Sequence, residues 1–227
     1  FLGASANNSF ADITIIIDRK QSMKVYESQI NSSVRELASC MDPRTTLRIV
    51  SAGQIPALEY VGSPNGAKQF SVAGLKTGYA NNVPMDLAVR LAANDLINAE
   101  KKRAIIFISD GDITQNSFDK YSLNEMTSYL NNNFISFLMI QVEQKAIDDS
   151  LDYLVKNTNG TEYFMFRPEG LSKIIKDIVE IPSGVYTFSY TSTLGTNFGE
   201  KYLPIEVEVY LMNRSGRDES GYFAPLQ

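Results

Sequence analysis

Apolar positions along this chain fall into two alternating patterns. Short unbroken runs, at 11–18 (ADITIIID), 45–51, 104–110 and 134–142, are rich in β-branched residues and end in turn chemistry, which predicts buried strands of a parallel sheet. Between them, apolar residues recur at spacings of three and four. The first such set is Tyr26, Ile30, Val34, Leu37 and Met41; the second, behind Pro84, is Met85, Ala88, Val89, Ala92 and Leu96. A third segment runs from Ser122 to Asn131, a fourth carries Ile147, Leu151, Leu154 and Val155, and a fifth carries Leu171, Ile174, Ile175, Ile178 and Val179 up to Pro182. Each predicts an amphipathic helix. Ser122 with Glu125 three residues on predicts a capping box, and Asn159-Gly160 a glycine C-cap. Ala57 to Val61, behind Pro56, predicts an antiparallel edge strand; a short helix is expected within 65–76 and a short strand over 162–166. This alternation predicts an α/β fold over residues 11–182, a doubly wound, mainly parallel sheet with helices on both faces.

After Pro182 the period changes. Residues 185–192 (VYTFSYTS) and 203–212 (LPIEVEVYLM) alternate with period two, with Ile205, Val207, Val209 and Leu211 on one face and Glu206, Glu208 and Tyr210 on the other. They predict half-buried antiparallel strands in a C-terminal β extension, 183–227, with a third short strand at 221–224. A segment of about 45 residues is too small for a comfortable core of its own, so it is expected to pack on the main domain or to complete a β-sandwich with residues upstream of Phe1. Residues 1–10 are small and polar and read as a linker or a strand from an upstream region. Phe1 in place of Met carries the expectation of a trimmed chain whose signal or anchor, if any, lies out of view.

Composition narrows the chemistry. Hydrophobic residues make up 44% of the 227 positions, which favours a packed core over disorder. The formal charge is −5 with basic residues scattered, against the concentrated basic surface that nucleic acid requires. The one tight basic group, Lys101 to Arg103, is expected at a solvated helix end. No apolar run reaches the roughly 20 residues of a transmembrane helix. The absence of histidine removes Ser-His-Asp and Cys-His catalysis and the commonest zinc ligand. Cys40, the single cysteine, is expected as a buried inert thiol on the apolar side of the first helix.

The candidate site follows from how two strands end. The run at 11–18 stops at Asp18 and the run at 104–110 at Asp110, and open α/β sheets gather ligands outside the carboxyl ends of their strands. The plain alternative is that both aspartates cap the helices that follow, that Ser22 is an ordinary turn residue and that Asp112 is solvated. Asp18-x-x-x-Ser22-Met23, a long amphipathic helix behind it, and Ser109-Asp110-Gly111-Asp112 closing a later strand together resemble the von Willebrand factor A-type (vWA) domains, in element order from about Ser9 to Ile181. The resemblance implies a Rossmann-like fold, a protein-binding role and, in many members, a divalent cation at the metal-ion-dependent adhesion site. Carried over, Asp18 matches the first aspartate, Ser22 the second serine of the Asp-x-Ser-x-Ser run, and Asp110 the aspartate of the Thr/Ser-Asp-Gly turn. These three are the implied metal ligands, for Mg²⁺ or Mn²⁺. Lys20 stands where the first serine belongs. The threonine of the loop before the third helix falls near Asn82 or Val83, with Thr77 too early to replace it. Lys20, Asn82 and Asp112 are expected around the ligand rim. Either a bound dication or the Lys20 ammonium can relieve the repulsion between two close carboxylates; both alternatives, and a solvated Lys20, stand at this point.

The expected function is an adhesion- or assembly-type binding module presenting the C-terminal edge of its sheet to a protein partner. The alternative is a silent scaffold domain of an envelope or surface assembly. An enzyme is not expected, since the chain has no phosphate-cradling glycine loop and no nucleophile elbow. The Tyr- and Thr-rich tail resembles extensions flanking vWA domains of secreted and surface proteins, which implies an extracytoplasmic location. Its aromatic residues (Tyr186, Phe188, Tyr190, Tyr210, Tyr222, Phe223) are expected to pack within sheet. Asn-x-Ser/Thr triplets at Asn7, Asn31, Asn159 and Asn213 matter only in a glycosylating pathway.

Overall fold

The computed structural model describes residues 3–6, 10–99, 101–181, 186–193, 195, 202–211 and 214–223. The chain forms two compact units, Ser5–Thr187 and Phe188–Gln227 with Phe1–Ala4. The strands are β1 (Gly3–Ala6), β2 (Ala11–Asp18), β3 (Leu47–Ala52), β4 (Ala57–Gly62), β5 (Lys102–Ser109), β6 (Ile135–Gln141), β7 (Glu162–Phe164), β8 (Tyr186–Ser189), β9 (Tyr202–Leu211) and β10 (Arg214–Phe223). The α-helices are α1 (Glu27–Cys40), α2 (Pro64–Ala67), α3 (Met85–Asn94), α4 (Leu123–Asn132), α5 (Asp149–Asn157) and α6 (Ser172–Glu180).

In the larger unit six strands form one sheet in the order β4-β3-β2-β5-β6-β7. All neighbours are parallel except β4, which runs antiparallel to β3 at the edge. All eight residues of β2 are buried, because a central strand of such a sheet is covered on both faces. Ile13, Ile15 and Ile17 meet Ile30, Val34 and Leu37 of α1 and Ile174 and Ile178 of α6 in one core layer. Ile16, Ile105, Phe107 and Met139 meet Val89 of α3, Leu130 of α4 and Leu154 of α5 in the other. Each such side chain contributes about 1.5–3 kcal/mol, so the sheet edge is held on a stiff base. Thr14, one of three buried polar residues in β2 with Asp12 and Asp18, donates its hydroxyl to the Ala92 carbonyl at 3.1 Å. The doubly wound sheet and the capping box at Ser122 and Glu125 agree with the sequence.

Several local expectations change. The first helix begins with a 3₁₀ turn, Gln21–Tyr26, ahead of α1. The expected helix at 65–76 is one short turn, α2, followed by a 3₁₀ turn at Val72–Gly74. Cys40 is exposed; it is the last residue of α1 and lies beside the stripe of Ile30, Val34, Leu37 and Met41 rather than in it. Lys102 is buried, not solvated, and its ammonium donates to the Val179 and Ile181 carbonyls at the C-terminus of α6, satisfying groups that the helix itself leaves unpaired. At the end of α5 the left-handed residue is Asn159 (φ 55°), and Gly160 donates its N–H to the Val155 carbonyl at 2.9 Å. This is a Schellman closure in which asparagine supplies the left-handed turn.

Outside the six-stranded sheet, β1 pairs with β8, and β9 and β10 form an antiparallel hairpin from Tyr202↔Phe223 to Leu211↔Arg214. Tyr202 and Phe223 meet edge-on at 5.3 Å; of the tail aromatics expected to pack within sheet, Tyr190, Tyr210 and Phe223 are exposed. The expected half-burial of β9 is seen at its start, where Leu203 is buried and Ile205 half-buried, and is lost further along. Val207 is 40% and Val209 55% exposed, and Tyr210 on the other face 72%, because a two-stranded ribbon by itself covers little of either face. Asn7 and Asn213, and the expected strand ends at Val185, Met212 and Ala224, lie outside the described residues.

Candidate functional site

β2 and β5 lie side by side and parallel, with Ile17 opposite Ile108. Both therefore discharge at the same edge, Asp18 as the last residue of β2 and Asp110 as the first beyond β5. The loop after Asp18 is clamped by backbone. Arg19 donates to the Ala52 carbonyl at 2.9 Å, Ala80 donates to the Arg19 carbonyl at 2.8 Å, and Gln21 donates to the Ala80 carbonyl at 3.2 Å. The Lys20 amide donates to Asp18 Oδ1 at 2.9 Å. The loop after β5 turns through Gly111 at φ +95°, a conformation favoured by glycine. A Cβ there would stand 2.7 Å from Gln141 Nε2.

Lys20 fills the space between these two loops. Its ammonium donates to Asp110 Oδ1 at 2.5 Å and to the Asp112 carbonyl, and lies 3.4 Å from Asp18 Oδ2. Ser22 donates its hydroxyl to Asp110 Oδ2 at 2.5 Å. Ser109 donates to Asp18 Oδ2 at 2.6 Å, and the Asp112 amide to Asp110 Oδ1 at 3.1 Å. Asp18, Lys20 and Asp110 are all buried. Around this centre runs an exposed polar rim. Tyr26 donates its hydroxyl to Glu143 Oε1 at 2.7 Å, and the Lys145 ammonium bonds Asp112 Oδ2 at 2.7 Å and sits 3.3 Å from Glu143 Oε2. On the other flank Arg19 stacks over the Tyr79 ring at 3.7 Å and donates to the Thr77 carbonyl at 3.2 Å.

Asp18, Ser22, Lys20, Asp110 and the backbone of Asp112 thus converge. Asn82 does not share these bonds. It is exposed, lining a shallow hollow with Pro84, Asp86 and Lys120. Thr77 bonds Ser51 Oγ at 2.9 Å instead. Val83 is held through Thr114, whose hydroxyl accepts from the Val83 amide at 3.1 Å. The sequence placed Tyr26 in the apolar set of the first helix and Ser109 only within the Ser-Asp-Gly-Asp run, and gave no role to Glu143 or Lys145. Glu143 and Lys145 follow the end of β6 and share the edge by the rule that marked Asp18 and Asp110, so the signal was present.

The electrostatics separate the two carboxylates. Burial pushes Asp18 up from its usual 3.8 to about 6, against the opposing pull of Lys20 and the Ser109 hydrogen bond. Burial also acts upward on Asp110, but the hydrogen bonds from Lys20 and Ser22 and the Lys20 charge outweigh it and hold the group below its usual range. A unit pair at 4 Å is worth about 4 kcal/mol at an effective dielectric near 20, and one ammonium faces two acids. Asp110 holds the nearer, better-bonded share; Asp18 is left to titrate. Because the folded value of Asp18 lies above its unfolded one, its contribution to stability is complete below about pH 4 and lost as pH rises through 6, a change of about 3 kcal/mol. Asp110 acts with the opposite sign, its contribution lost only as pH falls through its lowered value. Urea unfolding of the wild type should therefore show this loss between about pH 4 and pH 7, and Asp18→Asn should flatten that slope. An identical slope in both proteins would rule out Asp18 as its source.

The oxygens gathered here are of the hard type that Mg²⁺ or Mn²⁺ takes, but the folded residues do not fit a dication. The Lys20 ammonium occupies the position between the carboxylates, already bonded to Asp110, and a second positive centre at bonding distance would be repelled. Among the described residues, no group of three or more His, Cys, Asp or Glu side chains is placed to hold a metal ion.

No family model matches the sequence, and no curated protein matches it. Solved structures do. A von Willebrand factor type A protein from Catenulispora acidiphila aligns over 97% of this chain and 57% of its own, with 12% identity and a TM-score of 0.61. An aerotolerance-related membrane protein from Bacteroides fragilis aligns over 75% of this chain and 98% of its own, with 15% identity and a TM-score of 0.57. Proximal thread matrix protein 1 from the mussel byssus, with zinc in its metal-ion-dependent adhesion motif, aligns over 82% of this chain and 50% of its own, with 14% identity and a TM-score of 0.57. With the parallel six-stranded sheet, the helices on both faces and the paired strand-end aspartates already described, these likenesses establish that the chain has the von Willebrand factor A-type fold.

Proposed function

We propose that this chain is a protein-binding module whose docking surface is the C-terminal edge of the main sheet, without enzymatic chemistry of its own. The supporting observation is a contrast along that edge. Its central polar groups are bonded to one another, while Val25, in the 3₁₀ turn after β2, and Ile55, in the loop after β3, are 75% and 77% exposed. Apolar side chains standing out of a polar rim are the usual makings of a protein interface. The same contrast speaks against catalysis, since Asp18, Asp110 and Lys20 spend their bonding capacity on each other and on the Ser22 and Ser109 hydroxyls. A site at or outside a cell envelope draws support from the likeness to the Bacteroides fragilis membrane protein. Among the described residues no helix is long and apolar enough to cross a membrane.

Asp110→Ala is an unsuitable probe, because Asp110 is buried and its loss strands the Lys20 charge. Val25→Glu and Ile55→Glu change only exposed positions. In a crosslinking and mass-spectrometry comparison in the native host, each should reduce the proteins captured by the wild type at least about tenfold, the equivalent of about 1.4 kcal/mol. Glu180→Lys, at the opposite end of the fold, should leave capture intact. Unchanged capture in both edge variants would turn the reading to the scaffold role, which the closed centre also suits.

A further inference from the structure

We infer that Lys20 is a tethered cation standing in the place of a divalent ion, so that the sheet edge is complete without metal, and that replacing this one side chain opens the place to Mg²⁺ or Mn²⁺. The inference concerns how the edge is built and does not depend on what docks there.

The lysine is aimed by its backbone. Its amide is held by Asp18 Oδ1 at 2.9 Å, its carbonyl accepts from Met23 N–H at 3.0 Å, and the residue forms a bridge to Ala80. With both ends pinned, the side chain runs inward, and only 10% of it is exposed. An ammonium has three N–H donors. Here they face Asp110 Oδ1, the Asp112 carbonyl and the Asp18 carboxylate. All three partners are oxygens, drawn from both loops, as a bound cation would require. No donor remains for a ligand, and no coordination position is open to a partner's carboxylate. Contact with a partner therefore passes to the exposed rim and should be indifferent to chelators.

The oxygen set explains why one substitution suffices. With Lys20→Ser the carboxylates of Asp18 and Asp110, the Ser22 hydroxyl, the new hydroxyl and the Asp112 carbonyl would border one vacated space. Hard dications take about six oxygens, and Mg²⁺ keeps several waters. The two carboxylates would then lack a counter-charge, which supplies the drive for uptake.

The experiment compares wild type and Lys20→Ser by Mn²⁺ electron paramagnetic resonance and by melting in EDTA or Mn²⁺. The wild type should bind no Mn²⁺ at millimolar concentration and melt identically in both. Lys20→Ser should take up about one Mn²⁺ per chain, with the melting temperature raised by about 5–10 °C at a hundredfold excess over the dissociation constant. Saturable binding by the wild type overturns the inference, as does a folded Lys20→Ser that binds none. Should that variant not fold, reductive methylation of the wild type decides. Lys20 should be modified at least about tenfold more slowly than the exposed Lys24 at equal pH, which is about 1.4 kcal/mol of protection; equal rates overturn the inference. Failure here leaves the edge reading untouched, since that reading is tested at Val25 and Ile55 alone.

Discussion

Lys20→Met is expected to lower the stability of the main unit by about 3–5 kcal/mol at pH 7.5, the usual cost of breaking a buried ion pair by removing one partner. Methionine keeps most of the length and apolar stem, so the loss reports the charge and its hydrogen bonds rather than a cavity. Without the ammonium, Asp110 loses its 2.5 Å partner, and Asp18 loses the cation 3.4 Å away. The two carboxylates then face each other across a buried space and can remain only by sharing a proton. The cost should therefore shrink at about pH 5, where Asp18 is already protonated in the wild type. Urea unfolding at the two pH values measures both quantities. A cost under about 1 kcal/mol at pH 7.5 would place Lys20 among surface pairs and contradict its burial.

Gly160→Ala should cost about 3–5 kcal/mol although only a methyl group is added. A Cβ built on Gly160 would lie 1.8 Å from the Phe137 carbonyl oxygen and 2.7 Å from its carbon, and a backbone carbonyl has no rotamer by which to retreat. The connection from α5 to β7 is locked against β6 at this point. Phe137 donates its amide to Thr158 Oγ1 at 3.1 Å, and Met139 donates to the Thr161 carbonyl at 3.1 Å. Relief of the clash must loosen these bonds, so amide exchange at Met139, Ile140 and Gln141 should accelerate along with the fall in stability. A variant as stable as the wild type, with unchanged exchange, would show that the connection has slack that this geometry denies.

Much of the fold was legible because it depends on one-dimensional pattern. Ile13, Ile15, Ile16 and Ile17 announce a strand buried on both faces; Ser122 and Glu125 announce a helix start, since a capping box needs only residues three apart. The ends of β2 and β5 could be read as neighbours from topology alone, because parallel strands joined by helices deliver their C-termini to one edge. Where a reading failed, the deciding contact was remote in sequence. Lys102 looks solvated until the C-terminus of α6, more than seventy residues on, brings the Val179 and Ile181 carbonyls to it. Cys40 has apolar neighbours on its helix but falls beside their stripe. Asn159 and Gly160 were both recognisable as chain-ending residues, but their division of labour rests on the distance of Gly160 from a strand two elements back. The period-two alternation of β9 identified a strand correctly; burial of its apolar face followed at Leu203 and Ile205 but not at Val207 and Val209, because pattern specifies which side chains face together and not what covers them.

The candidate site divides along the same line. Sequence by itself determined that Asp18 and Asp110 close two central strands, that Ser22 follows at the spacing of a family motif, and that Lys20 stands in place of a serine. Only the tertiary structure decided which way the lysine points. A turn lysine goes to water by default, since its ammonium is strongly hydrated, and burial must be compensated. Here the compensation is a second loop, ninety residues away, that brings Asp110 and the Asp112 carbonyl to the ammonium. No local pattern encodes that meeting; it exists because β2 and β5 are packed side by side.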